Sequence, residues 1–190
     1  MFSHKLSYYI RPRYALFIIR TILFKIILRN RLRLSGVFYG IEKDVEISSQ
    51  NGGLIELGKG VYISKRSDIN AVGGVVKIGS NVSFNKDCTI VAMSKITIGD
   101  NCKFGEMVSI YDHNHNLLRL NEPIALQGFN MQPIVIGNNV WIGGKAFIGS
   151  GIKIGDNVII GANSTVTIDV PNNHVAYGNP LKIRPLILVG

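Results

Sequence analysis

A six-residue repeat dominates the second half of this chain. Between Gln132 and Val170 a bulky aliphatic residue recurs at every sixth position, and in most cases glycine follows it directly. An α-helix has a period of 3.6 residues and would scatter such a repeat around its axis, whereas short strands joined by corners keep it on one line. Glycine allows a tight corner. The repeat therefore predicts a parallel β-helix. The recurring residues are Ile136, Ile142, Ile148, Ile154, Ile160 and Val166.

Similar hexads extend towards the N-terminus in groups of three, and three hexads make one triangular coil. Short insertions at 72–74 and 92–94 separate the early groups and fit at corners. The pattern is irregular over residues 36–53. The predicted coils are Leu57, Ile63, Ile69; Ile78, Phe84, Ile90; Ile98, Phe104, Ile110; Ile136, Ile142, Ile148; and Ile154, Ile160, Val166.

An insertion, residues 111–133, interrupts the repeat and begins with Asp112, His113, Asn114 and His115. A loop this long in a compact repeat is usually functional or disordered. Alternate residues of an extended strand point to opposite faces, so we expect His113 and His115 to share a face, with Asp112 across from them. Histidine titrates near neutral pH and suits a general base. Metal binding is the rival use, but no third ligand follows at a familiar spacing, so we expect no metal.

The hexads together with GNNVWIGGKAFI and the later YGNPLKI resemble the left-handed β-helix acyltransferases, in the maltose, galactoside and polysaccharide O-acetyltransferase branch. The resemblance implies an all-β fold, a left-handed parallel β-helix. It also implies a homotrimer with active sites between subunits. The implied reaction transfers an acetyl group from acetyl-CoA to a sugar hydroxyl of a capsular, O-antigen or other surface polysaccharide, or of its lipid-linked precursor. Two alternatives stay open: an amino sugar, amino acid or antibiotic as acceptor, and a non-catalytic or carbonic-anhydrase-like β-helix.

The register of the resemblance implies site residues. In the galactoside and maltose enzymes the catalytic histidine stands five residues after an inward aliphatic residue, and here that position, counted from Ile110, is His115. His113 is the alternative base or an orienting partner, and Asp112 completes the predicted catalytic group. The same match places an acceptor-binding asparagine at Asn85. Where the family often has His-Pro, this chain has His115 followed by Asn116.

Further positions match the family's cofactor contacts. Trp141, the only tryptophan, resembles the residue that walls both the acceptor site and the pantetheine site. The family often has Thr-Lys-Asp where this chain has Ile168 after Thr167, so the resemblance implies one phosphate-binding cation fewer. The implied acetyl-CoA contacts are Trp141, Gly143, Gly144, Ala162, Thr167, Lys182 and Arg184.

Residues 1–34 hold eight Lys or Arg and no acid, whereas residues 35–190 carry thirteen bases and twelve acids. The basic excess therefore belongs to the N-terminal segment, and the lack of a basic stripe along the repeat argues against a nucleic-acid partner. Residues 13–34 have a helical period and predict an amphipathic helix. Arg20 and Lys25 near its middle would each cost about 2.5–3.5 kcal/mol inside a bilayer. The helix is therefore expected either to lie on an anionic membrane surface or to pack on protein. Its apolar face consists of Ala15, Leu16, Ile19, Ile22, Leu23, Ile26 and Ile27.

The predicted organisation has three parts: the helical segment 1–34, the β-helix 35–170 with its loop 111–133, and an extension 171–190. Prolines after Val170 break the strand pattern, so we expect the extension to leave the β-helix and fold back along it.

Cys88 and Cys102 occupy inward positions and are expected to be buried free thiols, which fits a reducing compartment. Several arginines interrupt the N-terminal apolar stretch, whereas the apolar region of a signal peptide is not interrupted by charge. We expect the protein in the cytoplasm, either free or peripheral on the inner face of the membrane.

Overall fold

Three sheets, parallel except for the last strand of one of them, form the sides of a triangular prism in the computed structural model, which describes residues 12–36 and 39–187. This is the predicted left-handed parallel β-helix. Among these residues one α-helix, α1 (Pro12–Leu28), precedes the β-helix and is followed by a 3-10 turn, Arg29–Arg31.

Each coil contributes one short strand to each sheet, and the strands stack coil upon coil. Sheet 1 contains β1 (Leu32–Leu34), β4 (Leu54–Leu57), β7 (Val75–Ile78), β10 (Lys95–Ile98), β15 (Ile134–Ile136) and β18 (Lys153–Ile154). Sheet 2 contains β2 (Gly40–Ile41), β5 (Tyr62–Ile63), β8 (Ser83–Phe84), β11 (Lys103–Phe104), β16 (Trp141–Ile142), β19 (Ile159–Ile160), β21 (His174–Tyr177) and β22 (Lys182–Pro185). Sheet 3 contains β3 (Glu46–Gln50), β6 (Asp68–Val72), β9 (Thr89–Ala92), β12 (Ser109–Tyr111), β17 (Phe147–Ile148) and β20 (Thr165–Val166).

The predicted triplets are confirmed, because each supplies one buried residue to each sheet. In the coil that begins at Ile98, for example, Ile98, Phe104 and Ile110 lie on β10, β11 and β12 and are almost completely buried. The rings of Phe84 and Phe104 stack with centroids 4.5 Å apart. This column of aliphatic and aromatic side chains is the hydrophobic core, and it makes the prism a rigid scaffold.

Cys88 and Cys102 are buried free thiols, as predicted. Burial raises the pKa of the Cys88 thiol to about 11, so the thiol is protonated at neutral pH. The Cys88 Sγ lies 3.1 Å from the carbonyl oxygen of Gly105 in the next coil and donates to it. Both cysteines are therefore part of the core.

The N-terminal helix is shorter than predicted. It ends at Leu28, and residues 32–34 form β1, in which Leu32 pairs with Ile55 and is completely buried. The irregular stretch before Gly53 supplies the rest of this first coil, β2 and β3. The prediction of a helix to residue 34 was wrong because pairing with β4 gives this segment backbone partners and a place in the core.

Helix α1 lies across the N-terminal end of the prism and contacts β1, β2 and β3. It packs through Phe17 and Thr21, which are buried, with Phe24 and Leu28 partly buried against the core. The predicted apolar face of the helix points the other way and is exposed. Among the described residues, no helix is long and apolar enough to cross a membrane.

The C-terminal segment stays in the β-helix for longer than predicted. After Val170 the chain turns and forms β21, which pairs in parallel with β19 and buries Ala176. It then reverses, and β22 pairs antiparallel with β21 at the edge of sheet 2. The expected departure from the β-helix at residue 171 is therefore wrong, since the prolines fall outside the strand that continues the sheet. Leu186, after β22, lies beside Trp141 on the outside of sheet 2.

Candidate active site

The interrupting loop forms an arm built on a two-stranded hairpin. Strand β13 (His113–His115) pairs antiparallel with β14 (Phe129–Met131), so that His113 faces Met131 and His115 faces Phe129. The arm leaves the prism directly after β12 and returns just before β15. Both predicted histidines therefore stand on regular strands beside a rigid scaffold.

Asp112 anchors the arm to the prism. Its side chain is completely buried, and its two oxygens accept the main-chain N–H groups of Met93 (2.8 Å) and Ser94 (2.7 Å) at a corner of the preceding coil. Its main-chain carbonyl accepts the N–H of Gln132 and the hydroxyl of Ser150. These bonds satisfy groups that would otherwise be buried without partners.

The two histidines have different surroundings. His113 Nδ1 lies 3.2 Å from Asp112 Oδ1, and its ring contacts Tyr111 and Phe129 edge to face. His115 is exposed, with its ring centroid 4.5 Å from that of Phe129. Its ring nitrogens make no hydrogen bond to any residue that the structure describes, which leaves a lone pair free to accept a proton.

The predicted arrangement of Asp112 across from both histidines is wrong. Asp112 sits at the bend before β13, where the alternation of a strand does not apply, and its carboxylate contacts His113. The histidines do share a face as predicted, because both rings contact Phe129.

Gln127, which sequence analysis missed, holds the far part of the arm together. Its side-chain oxygen accepts the N–H groups of Leu118 and Arg119, and its amide nitrogen donates to the carbonyls of Arg119 and Glu122. A glutamine within a polar loop carries no sequence signal of this role, since the four main-chain groups that it bonds, on three residues, are brought together by the folded loop.

Trp141 projects from the outer face of sheet 2, where its side chain is 56% exposed. Its neighbours in the sheet are Lys103 on one side and Ile159 on the other. A pocket of about 320 Å³ joins Trp141 to Asn85, with Tyr62 and Ser83 also in its wall. The Asn85 side-chain oxygen accepts the N–H of Lys86, which leaves its amide nitrogen turned to solvent as a donor. The structure thus brings the two predicted acceptor-binding residues together.

Small residues stack at the corner between sheets 2 and 3. A Cβ added to Gly143 would lie 2.5 Å from the Ala162 nitrogen in the next coil, and one added to Gly105 would lie 2.4 Å from the Gly144 nitrogen. Glycine is therefore required for coils to approach closely here. In the described part of the chain, the N–H groups of Gly144 and Ala162 donate to no main-chain carbonyl, so they are available to a carbonyl of a bound thioester or pantetheine arm.

The three remaining predicted cofactor residues are exposed near the C-terminal end of the prism. Thr167 follows β20 on sheet 3, whereas Lys182 and Arg184 lie on β22 at the edge of sheet 2. The Arg184 guanidinium lies over the Tyr177 ring, 5.2 Å from its centroid. The cations suit phosphate groups.

A single chain does not assemble all of these groups into one pocket. The histidines belong to the arm that follows sheet 3, whereas Trp141 and Asn85 line a pocket on sheet 2 that contains neither histidine. Among the described residues, no group of three or more His, Cys, Asp or Glu could hold a metal ion.

Comparisons with known proteins agree with this architecture. The sequence profile of the bacterial transferase hexapeptide (six repeats) matches residues 133–167. The chain is 31% identical over 142 residues to a putative lipopolysaccharide biosynthesis O-acetyl transferase, WbbJ, of Escherichia coli, covering 70% of this chain and 72% of that protein. It is 30% identical over 173 residues to a probable acetyltransferase of Mycobacterium tuberculosis, covering 90% of this chain but 57% of that relative's length.

A solved structure of a galactoside acetyltransferase in complex with coenzyme A superimposes with a TM-score of 0.57 and 30% sequence identity. The match covers 88% of this chain and 70% of that one.

Proposed function

Because this chain belongs to the hexapeptide-repeat acyltransferase family, we propose that it transfers an acetyl group from acetyl-CoA to a hydroxyl group of a sugar. The acceptor we propose is a sugar of a surface polysaccharide or of its lipid-linked precursor. The similarity to a putative lipopolysaccharide biosynthesis O-acetyl transferase and to a galactoside acetyltransferase supports this choice. The site of action we propose is the cytoplasm.

The observation that carries the proposal is the exposed His115 on an anchored arm. A sugar hydroxyl is a poor nucleophile at neutral pH, so a base must take its proton as it attacks the thioester carbon. His115 is free to accept that proton, whereas the Asp112 carboxylate is buried and already engaged by main-chain N–H groups. We therefore assign His115 as the general base and Asp112 as an anchor of the arm. His113, oriented by Asp112, is the alternative base.

The acetyl transfer is direct in this proposal. The hydroxyl oxygen attacks the thioester carbonyl carbon while His115 removes its proton. The carbon–sulfur bond of the tetrahedral intermediate then breaks, which forms the ester, and the departing CoA sulfur takes the proton from His115 and leaves as the thiol. An N–H donor must stabilise the oxyanion, and the unpaired Gly144 N–H is our candidate. Ala162 supports the pantetheine arm. Thr167, Lys182 and Arg184 contact the nucleotide phosphates, and Asn85 and Trp141 hold the acceptor.

A homotrimer completes this site. In the proposed assembly the histidine arm of one chain meets the Trp141 face of the next, which supplies the contact that one chain lacks. The flat outer faces of the sheets suit such side-by-side packing.

The test is a screen of free CoA release from acetyl-CoA with a panel of sugars and glycans, run with the wild type and with His115→Ala. We expect release with a sugar acceptor, a product heavier by one acetyl group, and loss of that product on mild alkaline treatment, because esters hydrolyse and amides do not. An alkali-stable product would instead identify an amino-sugar or other amine acceptor. If the protein neither binds CoA nor releases it with any acceptor, the alternative of a non-catalytic or carbonic-anhydrase-like β-helix is favoured.

A further inference from the structure

Helix α1 carries a continuous apolar arc that the rest of the described chain leaves uncovered. At 3.6 residues per turn, its exposed aliphatic residues cover about half of the helix circumference. Arg20 and Lys25 lie at the two margins of this arc and not within it. The residues of the arc, with exposures from 48% to 71%, are Leu16, Ile18, Ile19, Ile22, Leu23, Ile26 and Ile27.

The arc is not needed to hold the helix on the prism. The opposite face does so: Phe17 packs edge to face on Tyr62, with ring centroids 6.1 Å apart, and Thr21 is buried beside it. Lys25 Nζ donates to the main-chain carbonyls of Arg29 and Leu32, which ties the helix to the start of β1. The orientation of the arc is therefore fixed by contacts in which it takes no part.

The arc faces away from the end of the prism, because α1 lies across the first strands of all three sheets. A second copy packed side by side against a flat sheet would leave this end uncovered. An exposed apolar surface of this extent usually marks an interaction site.

The charge beside the arc is positive on balance, because the bases of this segment outnumber the acids near it. Main-chain carbonyls accept hydrogen bonds from Arg20, Lys25 and Arg31. Because these carbonyls are neutral, the three side chains keep their positive charge. Among the bases of this segment whose side chains are described, Arg33 is the one in an ion pair, with Glu56 at 3.0 Å. Glu42 and Asp44 of the first coil line a groove together with Arg20, so these two acids stand beside that margin of the arc. Hydrogen bonds from Tyr62, Ser64 and Lys65 hold the Glu42 carboxylate at the prism.

We propose that the arc of α1 docks on an anionic lipid bilayer, with the helix axis in the plane of the interface. The aliphatic side chains enter the boundary of the acyl chains, and the basic margins contact the anionic head groups. The prism then stands with its N-terminal end on the membrane. An apolar face bordered by basic side chains complements an anionic lipid surface better than it complements a groove in a protein.

The test is sedimentation of the full-length protein with vesicles of phosphatidylcholine containing about a third phosphatidylglycerol, compared with phosphatidylcholine alone. We expect binding to the anionic vesicles and at least a ~10-fold smaller bound-to-free ratio for Ile19→Glu/Ile26→Glu, because both side chains lie mid-arc. Ile168→Glu is the matched control, since Ile168 is equally exposed (53%, against 52% for Ile19) and belongs to the last coil at the other end of the prism. It should bind as the wild type does. High salt should reduce binding only in part, because screening acts on the charges alone.

Circular dichroism and light scattering on each variant control for folding and oligomeric state. The proposal is overturned if the wild type ignores anionic vesicles or if both variants bind equally well. It is also overturned if Ile19→Glu/Ile26→Glu changes the oligomer size in the absence of lipid, because the arc would then be a contact between copies of this chain.

Discussion

The two histidines of the arm stand two residues apart and yet have distinct environments. His113 is mostly buried between two aromatic rings and a carboxylate, whereas His115 is exposed and contacts one ring. The first environment suits a side chain that shapes the arm, and the second suits one that meets a substrate from outside the chain.

His115→Ala should therefore lower kcat/KM for acetyl transfer by at least ~10²-fold, the smallest loss expected when a general base is removed. His113→Ala should cost less than ~10-fold, since its proposed part is to position the arm. The measurement is the steady-state rate of CoA release with a sugar acceptor identified by the screen. His174→Ala, on β21, is the control and should retain the wild-type rate. If His113→Ala is the more damaging change while both variants keep their fold, the base is His113.

At the scale of the structural element, the corner between sheets 2 and 3 is set by close contact of successive coils. Gly143 and Gly149 belong to the same coil and look alike in the sequence. Their surroundings differ, because a Cβ on Gly143 would meet main-chain nitrogen at 2.5 Å, whereas a Cβ on Gly149 would lie at an ordinary 3.4 Å from the Val166 oxygen.

Gly143→Ala should destabilise the protein by about 1–3 kcal/mol, because main chain rather than a flexible side chain must move. Gly149→Ala should change stability by less than about 0.5 kcal/mol. Thermal unfolding at a fixed protein concentration compares the two, and we expect a fall of several degrees for Gly143→Ala alone. Equal melting temperatures for the two variants would contradict the close coil contact at this corner.

At the scale of the whole molecule, one chain holds two halves of the proposed site on different sides of the prism. A cyclic trimer joins unlike surfaces of neighbouring copies, so each site takes one half from each of two chains. This arrangement predicts that activity returns when two variants, each defective in a different half of the site, assemble into mixed trimers.

His115→Ala and Trp141→Ala should each be inactive or nearly so as pure trimers. When the two variants are co-expressed in equal amounts, about one site in four should combine an intact arm with an intact tryptophan face, given random assembly around a threefold axis. The mixture should then regain about a quarter of the wild-type activity. Mixing the separately purified proteins without subunit exchange is the control. Activity no higher than that of the pure variants, with mixed trimers verified by mass spectrometry, would place both residues in a site within one chain.

The β-helix, its coil register and its core could all be predicted from the spacing of residues in the sequence. The inward residues of a hexad follow from local spacing, and stacking repeats that spacing from coil to coil, so Ile98, Phe104 and Ile110 could be placed on three sheets from the sequence. The same spacing showed where the repeat is interrupted, and hence where the arm and its histidines lie.

Features that depend on partners distant in the sequence could be seen only in the folded chain. Residues 32–34 continue a helical pattern but become a strand, because β4 offers hydrogen-bond partners and the core accepts Leu32. Asp112 has the chemistry of a catalytic acid or base, yet two N–H groups from another coil engage it as an anchor. Likewise, helical periodicity identified the apolar face of α1, but the shape of the first coil determined that the opposite face packs and that the apolar face remains free. Local spacing sets which side chains share a face, whereas the neighbour that a face meets is set by contacts between segments far apart in the chain.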